Sequence, residues 1–225
     1  MFDLLFPSYC INCGKPGELL CTECRKKLRS SLPECYVCRR VSSQYLTHKK
    51  CNKWNIDAVF IGWRYDSIAK KLLSQFKYRY AYKLSKLITK LLLDRLRNTG
   101  FIKLITPDSI LMPIPSHISH FRKRGFNQSS LIAQGLSKSL GIRVEEECLF
   151  RDSDNRYQSQ LSSDRRKNLG DIFSLKKEII DRNILLIDDV VTTGTTVNRA
   201  AKVLKGNNIK VIALFRGKPI YQQMS

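Results

Sequence analysis

The stretch Ile184-Leu185-Leu186-Ile187-Asp188-Asp189-Val190-Val191-Thr192-Thr193-Gly194-Thr195-Thr196 runs from four apolar residues into two adjacent acids, then into a threonine–glycine turn. The apolar run Ile184–Ile187, preceded by Asn183, is of the sort buried inside a parallel sheet. Thr195–Leu204 reads as the helix that follows, stopped by Gly206. In an open α/β sheet, ligands gather at the carboxyl ends of strands. The N-terminus of a helix offers unpaired N–H groups and a positive dipole end, which suits a phosphate. Gly194 lets the backbone curl close to an anion, and the threonine hydroxyls add donors. Asp188 and Asp189 cannot hold that phosphate. They suit a sugar diol, or a divalent cation shared with it.

The rest of the C-terminal three-quarters follows the same strand–helix alternation. Ala58–Arg64 and Val211–Phe215 read as strands, and Ile110–Ile114 as a buried strand running into Pro115. Ile68, Leu72, Leu73 and Phe76 recur at helical spacing, as do Leu84, Leu87, Ile88, Leu91 and Leu92 within Tyr82–Leu96. Gln128–Leu140 is a further amphipathic helix ended by Gly141. Such alternation predicts an α/β domain with a mostly parallel sheet flanked by helices.

The chain has 225 residues, with 43% hydrophobic and 26% charged side chains, which excludes a mostly disordered protein. At ~150 residues per domain, that length allows one full domain and a small one. Apolar stretches such as Ile184–Ile187 or Leu91–Leu93 fall far short of the ~18–20 residues of a membrane-spanning helix. The N-terminus carries Asp3 and no basic leader, so export is not expected. Forty Lys and Arg against nineteen Asp and Glu leave a net charge of +21. A chain so basic is drawn to polyanions: nucleic acid, anionic lipid or a phosphorylated small molecule.

Seven of the eight cysteines lie in the first 51 residues. Cys10/Cys13, Cys21/Cys24 and Cys35/Cys38 are C-x-x-C pairs, and His48/Cys51 closes a fourth pair. A two-residue spacer makes a tight knuckle that brings both side chains to one metal. Eight ligands suffice for two tetrahedral zinc ions, paired either sequentially or in an interleaved way. Zinc at thiolates supplies folding energy to a segment with little apolar surface, and four-ligand sites leave no position open for chemistry. The expectation is one or two structural zinc ions in a module of residues 1–55, with the seam near Asn55–Asp57 and the α/β domain over 56–225. Cys148 reads as half-buried packing.

The 184–196 stretch resembles the phosphoribosyl-pyrophosphate (PRPP) signature of type I phosphoribosyltransferases. That resemblance implies that Asp188 and Asp189 hold the ribose and that Val190, Val191, Thr192, Thr193, Gly194, Thr195 and Thr196 form the loop on the 5-phosphate, with Mg2+ accompanying PRPP. Met112-Pro-Ile-Pro-Ser-His117, followed by Arg122-Lys-Arg-Gly-Phe-Asn-Gln128, resembles a segment peculiar to the ComF family within that superfamily. The four ligand pairs, Phe76-Lys-Tyr-Arg79 and Gln158…Leu161…Arg165-Arg166-Lys-Asn168 are similar too, so the likeness runs from Leu5 to Phe215. One departure is His48–Cys51, where the family usually has a fourth C-x-x-C. Pro115, Ser116 and His117 stand where such folds meet the pyrophosphate, and Arg122 and Arg124 could add positive charge. His120 is a further possible donor to phosphate.

Two more segments bear on function. Arg151–Asn168 reads as a long polar excursion, of the kind that closes over a ligand. Phe76-Lys-Tyr-Arg-Tyr-Ala-Tyr-Lys83 interleaves rings with bases, which suits single-stranded nucleic acid; it also suits two helices packing their aromatics inward. The resemblance implies a cytoplasmic PRPP-binding protein that handles single-stranded DNA in natural transformation, with protein partners from a DNA-uptake or helicase machine. The alternative is an active Mg-dependent phosphoribosyltransferase that moves phosphoribose to a nitrogenous acceptor and releases pyrophosphate.

Overall fold

A computed structural model describes residues 8–151 and 172–217 of the chain. Its N-terminal part carries α1 (Thr22–Lys26) among short turns. There follow β1 (Ile56–Arg64), α2 (Ser67–Tyr78), α3 (Ala81–Asn98), β2 (Ile110–Pro113), α4 (Ile118–Arg124) and α5 (Gln128–Leu140). The C-terminal part supplies β3 (Arg143–Val144), β4 (Leu149–Arg151), β5 (Phe173–Leu175), β6 (Asn183–Val191), α6 (Thr195–Val203) and β7 (Asn208–Arg216). Among the described residues, five strands form a parallel sheet in the order β1-β7-β6-β2-β3. β4 and β5 form a separate antiparallel pair.

Side chains alternate between the two faces of a strand, and both faces of this sheet are covered. Leu185 and Ile187 of β6, with Ile212 and Leu214 of β7, meet Leu72, Leu84, Leu92 and Ile132 from α2, α3 and α5. Ile184 and Leu186, with Val211 and Ala213, meet Val197 and Ala200 of α6 and Phe173 of β5 on the other side. Each fully buried Leu, Ile, Val or Phe among them stabilises the fold by about 1.5–3 kcal/mol. Local signals set the helix ends. Asp66 accepts from Ala69 N at 3.0 Å to cap α2, and Asn127 accepts from Ser129 N at 3.2 Å to cap α5.

The N-terminal segment shares these cores. Cys10, Leu20, Cys24 and Leu28 join the helix-side core, and the Tyr45 ring lies 5.0 Å from that of Phe60 on β1. Tyr36 joins the core on the opposite face. The segment also pairs with the outer edge of β1: Ser31 N donates to Gly62 O, Arg64 N to Arg29 O, and Thr47 N to Asp57 O. An edge strand that would template association is thereby covered.

Several expectations shift in detail. β6 continues through both acids to Val191, because Val190 and Val191 keep register with Phe215 and Arg216 of β7. Arg122 and Arg124 belong to the short helix α4, a helix that the sequence reading does not include. Cys148 is fully buried in the second core, since Leu149 and Phe173 close over that face. The polar excursion at Arg151–Asn168 lies, beyond Arg151, outside the described residues, as does the Gln158–Asn168 motif. Among the described residues, no helix is long and apolar enough to cross a membrane.

Candidate functional site

Two ligand clusters stand at the N-terminal end of the chain. Cys10, Cys13, Cys21 and Cys24 form one; Cys35, Cys38, His48 and Cys51 form the other. Within each cluster the ligand atoms lie within 4.8 Å of one another, so the pairing is sequential. In the second cluster His48 Nε2 pairs with Val41 O at 3.2 Å, which turns Nδ1 toward Cys38 Sγ at 3.3 Å. An outer partner of this kind fixes the ring of a metal-binding histidine. Crowding works against ionising the thiols together: desolvation and then the neighbouring Cys38 and Cys35 push Cys51 up to about 11. A divalent cation reverses that penalty. Both donor sets, four thiolates in the first cluster and three thiolates with one imidazole in the second, fit tetrahedral zinc.

The second feature is a cleft of about 520 Å³ at the carboxyl ends of β2 and β6. From β2 the chain passes to β3 on one side of the sheet; from β6 it passes through α6 to β7 on the other. Connections therefore diverge between β2 and β6, and such a switch point is where open α/β sheets bind ligands. Pro115, Ser116, His117 and Arg124 line one wall, and Asp188, Asp189, Val190 and Thr196 the other.

The acids occupy unequal environments. Asp189 Oδ2 meets Lys77 Nζ at 2.8 Å. The Asp188 carboxyl is held well above the usual carboxylate range, first by desolvation and then by the adjacent Asp189. The Asp189 N–H at 2.8 Å, with Lys77 and Arg151, offsets this only in part. Three buried polar atoms on residues lining the cleft lack a hydrogen-bond partner among the described residues: Ser116 Oγ, Arg124 Nε and Gln128 Nε2. Unpaired buried groups are costly, so a polar ligand that satisfies them is favoured.

Beyond the acids, Val191 is buried behind the loop, and Thr192, Thr193 and Thr195 are exposed along it. Gly194 has φ 84°, a conformation that glycine adopts without strain. It caps α6 without a side-chain bond, while Thr193 Oγ1 lies 2.8 Å from Thr195 Oγ1. The loop thus presents hydroxyls and the amino end of α6 beside two carboxylates. His117 caps α4 through Ser119 N at 3.2 Å. His120 sits 3.3 Å from Arg124 Nη2, and desolvation followed by that cation lowers its pKa. Arg122 is exposed on α4 and does not line the cleft.

Lys77, Asn127 and Gln128 also line the cleft, although the sequence reading gives them no part in it; so does Arg151, the first residue of the polar excursion expected to close over a ligand. Asn127 could have been read from its cap position before α5. Lys77 stands in the Phe76–Arg79 motif, but its pairing with Asp189, far along the chain, has no local signal.

The Phe76–Lys83 segment divides between its two readings. Phe76 is buried, whereas Tyr78, Tyr80 and Tyr82 are 56%, 40% and 69% exposed. Lys123 and Arg124 of α4 lie 5.7 and 5.2 Å from the Tyr78 ring centre, and the Tyr82 ring lies 6.4 Å from that of Phe126. Rings and cations from two segments therefore meet beside the cleft, with Lys77 and Arg124 common to both.

Known proteins share these parts. The phosphoribosyl transferase domain family matches residues 127–216, and the double zinc ribbon domain family matches residues 1–53. With both four-ligand clusters in place, the N-terminal segment is a structural zinc-binding module. Competence protein F of Haemophilus influenzae is 31% identical over 223 residues, covering 92% of this chain and 94% of that protein. Competence protein ComFC of Bacillus subtilis is 31% identical over 202 residues, covering 84% and 79%. The DNA utilization protein YhgH of Escherichia coli K12 is 28% identical over 228 residues, covering 94% and 97%.

Proposed function

The chain belongs to the ComF family of competence proteins, and from that premise we propose that it is a cytoplasmic PRPP-binding protein that handles single-stranded DNA during natural transformation. The observation that carries the reading is the cleft at the β2–β6 switch point, which Asp188, Asp189 and Thr196 line together with the unpartnered donors of Ser116, Arg124 and Gln128. Asp188 and Asp189 take the ribose hydroxyls. Thr192–Thr196 and the amino end of α6 take the 5-phosphate. Ser116, His117 and Arg124 take the pyrophosphate, with Lys77 and Arg151 adding positive charge. Mg2+ bound with PRPP supplies charge neutralisation on the phosphates. Residues 1–55 serve as the zinc-stapled part and residues 56–225 as the ligand-binding part.

The DNA half of the proposal rests on the face formed by Tyr78, Tyr80, Tyr82, Lys123 and Arg124, together with the net charge of +21. Bases stack on exposed rings while cations follow the backbone. Partners from a DNA-uptake or helicase machine fit the same role.

Calorimetric titration of Mg-PRPP tests the pocket. Wild type should bind, and Asp188→Asn/Asp189→Asn should not; equal binding by both would remove the pocket assignment. Anisotropy with labelled single-stranded DNA tests the face. Log affinity should fall with log salt by about 0.7 per phosphate contacted. Replacing the three tyrosines by alanine should cost about 1–3 kcal/mol per stacked base. A flat salt response, or an unchanged tyrosine variant, would refute it. Acceptor-dependent pyrophosphate release, lost in the acid variant, would turn the binding protein into a transferase.

A further inference from the structure

Two residues of the second metal cluster's knuckle segment, Tyr36 and Arg39, reach the Thr/Gly loop and α6. Tyr36 lies inside the Cys35–Cys38 knuckle, yet it is 1% exposed. Its hydroxyl donates to Asn198 Oδ1 at 2.6 Å, in the first turns of α6. The Asn198 N–H in turn donates to Gly194 O at 2.9 Å, closing the first turn of α6. The Tyr36 ring edge fills the space beside Gly194, where a Cβ would come within 2.7 Å of Tyr36 Cε2. Arg216 Nη2 donates to the Tyr36 carbonyl at 2.7 Å, and its Nε meets Glu34 Oε1 at 2.9 Å. Arg216 stands opposite Val191, the last residue before the loop. Arg39, one position past Cys38, reaches Thr192 O at 3.4 Å.

We infer that the Cys35–Cys38 knuckle is a strut for the phosphate loop, with Tyr36 as the positioning residue that couples the second zinc site to 5-phosphate binding. The inference rests on the PRPP-pocket reading above and adds a dependence that the reading does not require. A buried tyrosine needs a partner for its hydroxyl, and here that partner sits on the helix whose amino end faces the anion. The ring packs against the side of Gly194 where a Cβ would stand. Zinc, when bound, fixes the backbone on both sides of Tyr36. Tyr36 does not line the cleft; it acts through Gly194 and Asn198.

The two ends of PRPP give a test that separates positioning from general stability. Ser116 and Arg124, assigned above to the pyrophosphate, come from the β2–α4 segment and not from the loop after β6. The measurements are calorimetric titrations of PRPP, ribose 5-phosphate and inorganic pyrophosphate into zinc-loaded full-length protein, with zinc content measured on each sample. In Tyr36→Ala, affinity for PRPP and ribose 5-phosphate should fall about tenfold or more, as misplacement of a binding group predicts. Affinity for pyrophosphate should stay within about twofold, and zinc should stay at the wild-type level. Tyr36→Phe keeps the ring and should lose about threefold to fivefold, the share of one hydrogen bond. Should Tyr36→Ala fail to fold, Tyr36→Phe and Asn198→Ala carry the test: their effects on ribose 5-phosphate affinity should not add, because both delete the same bond. Parallel loss of pyrophosphate affinity would overturn the inference, as would wild-type ribose 5-phosphate affinity in Tyr36→Phe and Asn198→Ala; both leave the PRPP pocket standing. Absence of PRPP binding by wild type would overturn both.

Discussion

The first metal cluster, Cys10 to Cys24, packs on the helix side of the sheet, where Lys71 of α2 reaches Asn12 O at 3.3 Å. The second, Cys35 to Cys51, lies by the opposite face and meets the loop at Thr192, Gly194 and Asn198. Each has a nearby glutamate–arginine pair at 2.9 Å: Glu18 with Arg25, and Glu34 with Arg216. The first pair is open to water, at 28% and 51% side-chain exposure; Arg216 is 7% exposed. Equal distances in unequal surroundings do unequal things. Solvent screens the first pair, so it is close to neutral. The second holds a desolvated guanidinium that cannot shed its charge, so its partner is indispensable. Similar knuckles thus pack on the helix side of the sheet in one place and beside the proposed phosphate loop in the other.

The largest effect should come from removing the metal from both. Structural zinc contributes on the order of 10 kcal/mol in small modules, so stripping it should lower the melting temperature by more than about 10 °C. Differential scanning fluorimetry with parallel zinc assay checks this; an unchanged melt in zinc-free protein would dissolve the comparison altogether.

The paired glutamates sharpen it next. Glu34→Ala leaves Arg216 buried and should cost about 3 kcal/mol in urea unfolding. Glu18→Ala should cost less than about 1 kcal/mol. Equal losses would mean that burial does not distinguish the two regions.

A smaller effect of opposite sign belongs to the loop side. Asp188 holds its proton to higher pH when folded than when unfolded. The stability this confers is complete below the ordinary carboxylate pKa and is lost as pH rises through the raised one. Asp188→Asn should therefore stabilise the protein by roughly 1–2 kcal/mol at pH 8.5, with the gain shrinking toward pH 5. Urea titrations at the two pH values check this, and a gain that grows toward pH 5 would reverse the sign. The proposed binding role of Asp188 would set function against stability, as expected where an acid is kept in a desolvated site.

What could be read beforehand follows the same division. The 184–196 loop, the cysteine pairs and the bounds of α5 rest on contiguous residues, so local chemistry announced them. Sequential metal pairing needed the fold, because spacing alone permits an interleaved arrangement. The continuation of β6 past its acids was hidden, since the apolar run ends at Ile187 while the ladder with β7 runs on to Val191. Least legible was Tyr36, whose partner Asn198 is 162 positions away. A tyrosine between two cysteines looks like any knuckle residue until tertiary packing brings Gly194 against its ring.

The most direct measurement is a crystal structure of the zinc-loaded protein with Mg2+ and PRPP. The 5-phosphate should lie against Thr192–Thr196, the ribose on Asp188 and Asp189, and the pyrophosphate toward Ser116 and Arg124, with Tyr36 still seated at Gly194. PRPP bound away from this loop, or a saturated crystal with no density in the cleft, would contradict it.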